Sequence, residues 1–338
     1  LMVFGMDQGL DERTQLYLLS GDGSEIKPLT DDPEIMHFLG NWSRDGRRIA
    51  YAANHPDTTE YRLCIQDVHS GEVETIYRDD VWIDPVMWSP DDRFIWFQKK
   101  HSALDIDFFL ADTETGEIIN LTPHEPPVRH WTQGSAWSAD GSRIYLTTDG
   151  GGRDFLTPAF IDIETRKLEY LEEVSWDVES VNLSPDGRLI MLRFNENGFT
   201  RLDLREIATG KQLPVPPFPR GMYAGAFSPD SRKLAMVFNS PTRNSDLWMY
   251  DLEDEDLTQW TFSATAGVPA KSFVDAEPIE YESFDGLKIP AYAYYPKDTD
   301  RRQLPVVIDI HGGPEYQSTP AFNGEYQYFA KLGYMVLV

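Results

Sequence analysis

The residues of this chain with the most chemical promise are His311, Gly312, Gly313 and Pro314, which close the run Leu304-Pro-Val-Val-Ile-Asp-Ile310. A short apolar, β-branched run of this kind reads as a buried strand of a parallel sheet. The two glycines after it free the backbone from side chains and let it turn. A glycine loop so placed can offer a backbone N–H to an oxygen that gains negative charge during acyl transfer. No Gly-x-Ser-x-Gly elbow occurs anywhere in the chain. No serine present is therefore assigned as the nucleophile that such a donor would serve.

The elements that must position this loop can be read on both sides of it. Downstream, Asn323 to Leu332 reads as a helix stopped by Gly333, and Tyr334 to Val338 as a second apolar strand. Strand, glycine loop, helix, strand is the opening of an α/β sheet. Upstream, Glu277–Gly286 and Leu287–Pro296 read as two strands around an Asp-Gly turn. The small residues from Ser263 to Ala270 read as a linker.

The rest of the chain is an array. Trp42-Ser-Arg-Asp-Gly-Arg47, Trp88-Ser-Pro-Asp-Asp-Arg93, Trp137-Ser-Ala-Asp-Gly-Ser142, Leu183-Ser-Pro-Asp-Gly-Arg188 and Phe227-Ser-Pro-Asp-Ser-Arg232 repeat one pattern, with serines 46, 49, 46 and 44 residues apart. A period in the mid-forties suits four-stranded propeller blades. Ser, Pro, Asp and Gly in this order specify a tight turn, and an apolar strand follows each copy. Residues before the first copy match a blade without its first strand, so six blades are expected, the first incomplete.

Several groups imitate active-site chemistry. The repeated serines and aspartates recur once per blade, as turn residues do and catalytic residues do not. Gly150-Gly151-Gly152 joins two expected strands and opens no helix, so it reads as a hairpin and not a phosphate loop. His124 and His130 flank a Pro-rich connection with no third ligand, and no metal is expected. Cys64 sits mid-strand and reads as a buried structural thiol.

A net charge of −26 over 338 residues argues against nucleic acid or an anionic membrane as partners. A single cysteine fits a reducing compartment, no stretch is long and apolar enough to span a bilayer, and a cytoplasmic location is expected. The opening Leu1 and the missing nucleophile read as a fragment open at both ends.

Phe284-Asp-Gly-Leu-Lys-Ile-Pro290, the Leu304–Pro314 segment and Tyr328-Phe-Ala-Lys-Leu-Gly-Tyr-Met-Val-Leu-Val338, behind an array of this kind, resemble the prolyl oligopeptidase family of serine peptidases. The likeness is nearest the acylaminoacyl-peptidase and dipeptidyl-aminopeptidase branch and covers nearly the whole chain. It implies a mainly β fold: a β-propeller over 1–262, a linker over 263–276, and the truncated start of an α/β-hydrolase domain over 277–338. It implies a parent that releases short pieces from peptide N-termini through a Ser-His-Asp triad without cofactors, while the propeller gates access. On this mapping Gly313 supplies the oxyanion N–H, His311 is structural, and the fragment alone is inactive. A homo-oligomer stays open. The alternative is a non-catalytic propeller that binds a peptide or protein.

Overall fold

The five Ser-x-Asp segments form one and the same turn in the computed structural model. Ser43 Oγ donates to Asp45 Oδ1 at 2.7 Å and accepts the Arg48 N–H at 3.0 Å, while Asp45 takes the Arg47 N–H at 3.0 Å. The same three bonds recur around Ser89, Ser138, Ser184 and Ser228. The Ser138 hydroxyl, with the N–H and hydroxyl of Ser142, holds Asp140 down to about 2. Three residues after each serine the backbone turns left-handed. Gly46, Gly141 and Gly187 fill that place three times, Asp92 and Ser231 twice, both at φ +60°. The two exceptions reach back to the preceding turn: the Arg44 N–H donates to Asp92 Oδ1 at 2.7 Å, and the Asp186 N–H to Ser231 Oγ at 3.1 Å.

The structure describes residues 1–132, 137–313 and 316–338, so Pro314 of the glycine loop lies outside the described residues. The fold is mainly β, in two compact units, Leu1–Glu173 and Val174–Val338. The first unit is a row of antiparallel meanders. Its opening sheet has three strands, Met2–Met6, Gln15–Leu19 and Ile26–Pro28, as expected of a blade without its first strand. Three four-stranded sheets follow, over 37–79, 82–120 and 130–170. Alternate residues of each strand serve opposite faces. Thus Ile95 and Phe97 pack toward Ala50, Leu63 and Ile65 of the preceding sheet, whereas Trp96 packs toward Ile144 and Leu146 of the next.

The second unit opens with two more meanders. One holds Val178–Leu183, Leu189–Glu196 and Phe199–Glu206; the expected fourth strand is only an isolated bridge between Arg205 and Gln212. The other, over 222–259, has four strands. Gly150–Gly152 lies in the hairpin between Arg143–Thr148 and Thr157–Asp162, as expected.

The chain then changes character. The last sheet is mixed, in the order Ala276–Glu282, Lys288–Tyr294, Met335–Leu337, Val306–Ile308, and only the final pair is parallel. The helix Gly324–Lys331 makes the crossover between the two parallel strands, capped by Asn323 Oδ1, which accepts the Glu325 N–H at 2.8 Å. Gly333 ends it at φ +90°. Within the expected strand Leu304–Ile310, Val306–Ile308 pairs in parallel with Met335–Leu337, and in this chain Val306 and Ile308 are 48% and 63% exposed.

Candidate active site

The glycine loop leaves the edge strand at Asp309, whose N–H donates to the Leu337 carbonyl at 2.9 Å and so continues the parallel pairing one residue further. The Asp309 carboxylate accepts the Tyr326 hydroxyl from the crossover helix, and Tyr326 rests against Tyr294 at 5.3 Å between rings. The exit of the strand is thus tied to the helix that follows it.

His311 is exposed, and its Nδ1 lies 3.2 Å from the Gly312 carbonyl. Among the described residues no carboxylate is hydrogen-bonded to its ring. Gly313 adopts φ +65°, and the Tyr316 N–H closes a turn onto its carbonyl at 2.9 Å. Among the described residues no acceptor takes the Gly313 N–H. A Cβ at Gly313 would meet, among the described residues, only Tyr316 Cβ, at 3.9 Å. The requirement for glycine here is therefore the left-handed backbone and not crowding.

A cleft of about 670 Å³ opens beside the loop, lined by Ile308, His311, Tyr316, Gln317, Asn197 and Tyr292 among others. Gly313 lies between the two lining segments 309–311 and 316–318 rather than in the wall. The wall from Asn197 was not legible beforehand. Asn197 and Gly198, at φ +52° and +75°, are the two-residue tip between Leu189–Glu196 and Phe199–Glu206. The Tyr292 hydroxyl donates to the Asn197 carbonyl, and a Cβ on Gly198 would overlap that hydroxyl and crowd Pro320 Cδ at 3.1 Å.

Polar side chains hold the approach to the helix. Buried Gln327 accepts the Val274 N–H at 2.7 Å and donates to the carbonyls of Val274 and Pro241, both at 2.9 Å. The cleft thus lies beside a glycine loop that is tied at Asp309 to the sheet and to the crossover helix. The repeat serines are not candidates: Ser43, Ser89 and Ser184 are buried with their hydroxyls committed to aspartates.

Among the described residues no group of three or more His, Cys, Asp or Glu is placed to hold a metal ion. His124 has Asp105 Oδ1 2.9 Å from Nε2, with the Thr122 carbonyl and Asp107 Oδ1 at 2.8 and 3.1 Å from Nδ1. Burial alone would push it down, but the Asp105 and Thr122 bonds and the two carboxylate charges prevail and hold it above its ordinary value. His130, 5.1 Å away ring to ring, is pushed down to about 4 by burial and by His124. Cys64 is buried, and burial pushes its thiol up. No helix of the described residues is long and apolar enough to cross a membrane.

No protein-family model matches the chain. Among curated proteins, dipeptidyl aminopeptidase BIII of Pseudoxanthomonas mexicana is 22% identical over 349 residues, which take in 99% of this chain and 50% of the relative. Among solved structures, a puromycin-hydrolyzing peptidase of Mycobacterium tuberculosis superposes with a TM-score of 0.82 at 13% identity, over 99% of this chain and 57% of the other. A prolyl endopeptidase superposes with a TM-score of 0.68 at 16% identity, over 97% and 57%. The chain spans half the length of that curated relative.

Proposed function

From the premise that the chain belongs to the prolyl oligopeptidase family of peptidases, we propose that it is the N-terminal part of a cytoplasmic serine peptidase that releases short pieces from peptide N-termini. In this reading the meander sheets over 1–262 are blades that gate access, 263–276 is a linker, and 277–338 begins an α/β-hydrolase domain. The chain alone is inert, and the nucleophile, triad Asp and triad His belong to the rest of the enzyme. Dipeptide release is the closer of the two branch activities, because a dipeptidyl aminopeptidase is the relative aligned along nearly the whole chain.

One observation carries the assignment of chemistry. The loop behind a parallel strand holds Gly313 left-handed, with an N–H that no described acceptor takes. A fixed backbone donor of this kind stabilises the oxyanion of acyl transfer without reorganising. In the full-length peptidase, Gly313→Val should lower kcat on the order of 100-fold with little change in KM. Gly312→Ala is the control, since its Cβ would meet nothing within 4 Å. A Gly313→Val enzyme that melts earlier but keeps kcat in its folded fraction would overturn the assignment.

A further inference from the structure

One position of the repeat, eleven residues after each turn serine, has changed its task along the chain. It holds Asn54, Lys100, Asp149, Asn195 and Asn239, at or just past the end of the second strand of each sheet. In the first unit its hydrogen bonds stay with its own sheet, although Lys100 Nζ also lies 5.2 Å from the Trp131 ring of the next. Asn54 Oδ1 accepts the Met36 N–H at 2.7 Å, Lys100 Nζ reaches Asp84 at 3.3 Å, and Asp149 accepts the N–H and Nε of Arg129 at 2.8 and 2.6 Å.

Asn195 and Asn239 each keep local bonds and send one bond away. Asn195 Nδ2 donates to Glu179 at 3.0 Å, and its Oδ1 takes the Gly198 N–H at 2.7 Å; Asn239 Nδ2 donates to Ser245 Oγ at 2.8 Å. Beyond these, Asn195 Nδ2 donates to Gln317 Oε1 at 2.9 Å, and Asn239 Oδ1 accepts the Phe322 N–H at 2.7 Å. The two remote bonds grip both ends of segment 317–322. That segment lies between the Gly313 turn and the cap of the crossover helix.

We propose that Asn195 and Asn239 are positioning residues that clamp segment 317–322 and thereby fix where the Gly313 N–H points. The physical case is one of leverage. Upstream, the glycine loop is fixed by Asp309, which is paired to Leu337 and to Tyr326. Downstream, the nearest described hydrogen bond to another element is the one that Gln317 Oε1 accepts from Asn195. A donor that must meet a developing charge is useful only if both ends of its loop are held, because displacement by a fraction of an ångström removes much of the effect. The catalytic half of this inference rests on the reading of Gly313 given above.

Hydrogen exchange and steady-state kinetics test the two halves separately. In this chain, Asn195→Ala with Asn239→Ala should speed exchange at the described amides of 312–322 by about tenfold or more, the effect of removing bonds worth about 1 kcal/mol each. Asn54→Ala should leave those amides unchanged. In the full-length peptidase the double variant should lose roughly tenfold in kcat at nearly constant KM. Asn239→Asp, which keeps an acceptor for the Phe322 N–H, should recover the part due to position 239.

Unchanged exchange in the double variant would overturn the clamp. Faster exchange with full kcat, in an enzyme that Gly313→Val still disables, would overturn the positioning role alone. If Gly313→Val keeps kcat, the reading of Gly313 fails while the exchange result still stands or falls by itself.

Discussion

The meander sheets and the final mixed sheet obey different rules. In the meanders each strand is followed by its own partner, each turn closes on its own serine, and apolar residues alternate between two covered faces. In the final sheet the strand that matters, Val306–Ile308, is paired to Met335–Leu337, each residue with one 29 positions on, and is the last strand in the sheet order. The exit of that strand is held by Tyr326, and the segment and helix that follow it by Asn195, Asn239 and Gln327, all distant in sequence from their partners. A blade turn is closed by bonds within a few residues, whereas the donor loop is held by elements outside itself.

The sharpest way to break this comparison is to delete equivalent apolar bulk from each region. Trp96 is fully buried and stacked on Phe108 at 5.0 Å, so Trp96→Ala should cost about 3–5 kcal/mol. Ile308→Ala, in a side chain 63% exposed, should stay within about 0.5 kcal/mol. Denaturant unfolding of both variants measures the contrast, and similar losses would show that the edge strand is as well covered as the blades.

A smaller effect separates the two kinds of cap. Ser184 is buried and bonded to Asp186 and to the Leu189 N–H at 2.6 and 2.8 Å. Ser184→Ala leaves that N–H unpaired and should cost about 1–3 kcal/mol. Asn323→Ala removes an exposed helix cap and should cost about 1 kcal/mol. Thermal melts of the pair order them, and a larger loss at Asn323 would reverse the ranking of the blade turn over the helix cap.

The smallest expected effect is one of pH and is confined to the first unit. His124, facing Asp105 and Asp107, is raised in the fold. Its contribution is therefore complete below its unfolded value of about 6.5 and is lost as pH rises through the raised value. His130 is lowered to about 4, so its contribution is complete above about 6.5 and is lost as pH falls toward 4. His124→Gln should flatten the alkaline limb of stability against pH and His130→Gln the acid limb. Limbs that stay unchanged would show that neither histidine is held as described.

Much of this fold was legible from residues alone because its signals are short-range. Trp88-Ser-Pro-Asp specifies a turn whatever lies beyond it, and five copies expose the period. The strand–loop–helix–strand order around Gly313 was legible for the same reason, from β-branching, glycine and the Asn323 cap. The exposure of Val306 and Ile308 in this chain was not legible, because an apolar run does not say how many neighbours its strand has. The bracing asparagines were missed, although aligning the five copies on their serines would have placed Asn195 and Asn239 in one column. No local rule tells why that column, filled by Asn54 in an earlier copy, should serve another sheet.

The tip at Asn197–Gly198 also decides where this protein can be lengthened. Between the second and third strands of the sheet over 37–79, residues 56–59 are exposed, and the His55 N–H closes the loop on the Glu60 carbonyl at 2.8 Å. A guest domain spliced between Asp57 and Thr58 would leave that closing bond, and the strands below it, in place. At the corresponding tip of the next unit, the Tyr292 hydroxyl and Pro320 occupy the space that even one Cβ would need. One hairpin is a port for grafting and the other is sealed, although both join the same two strands of one repeat.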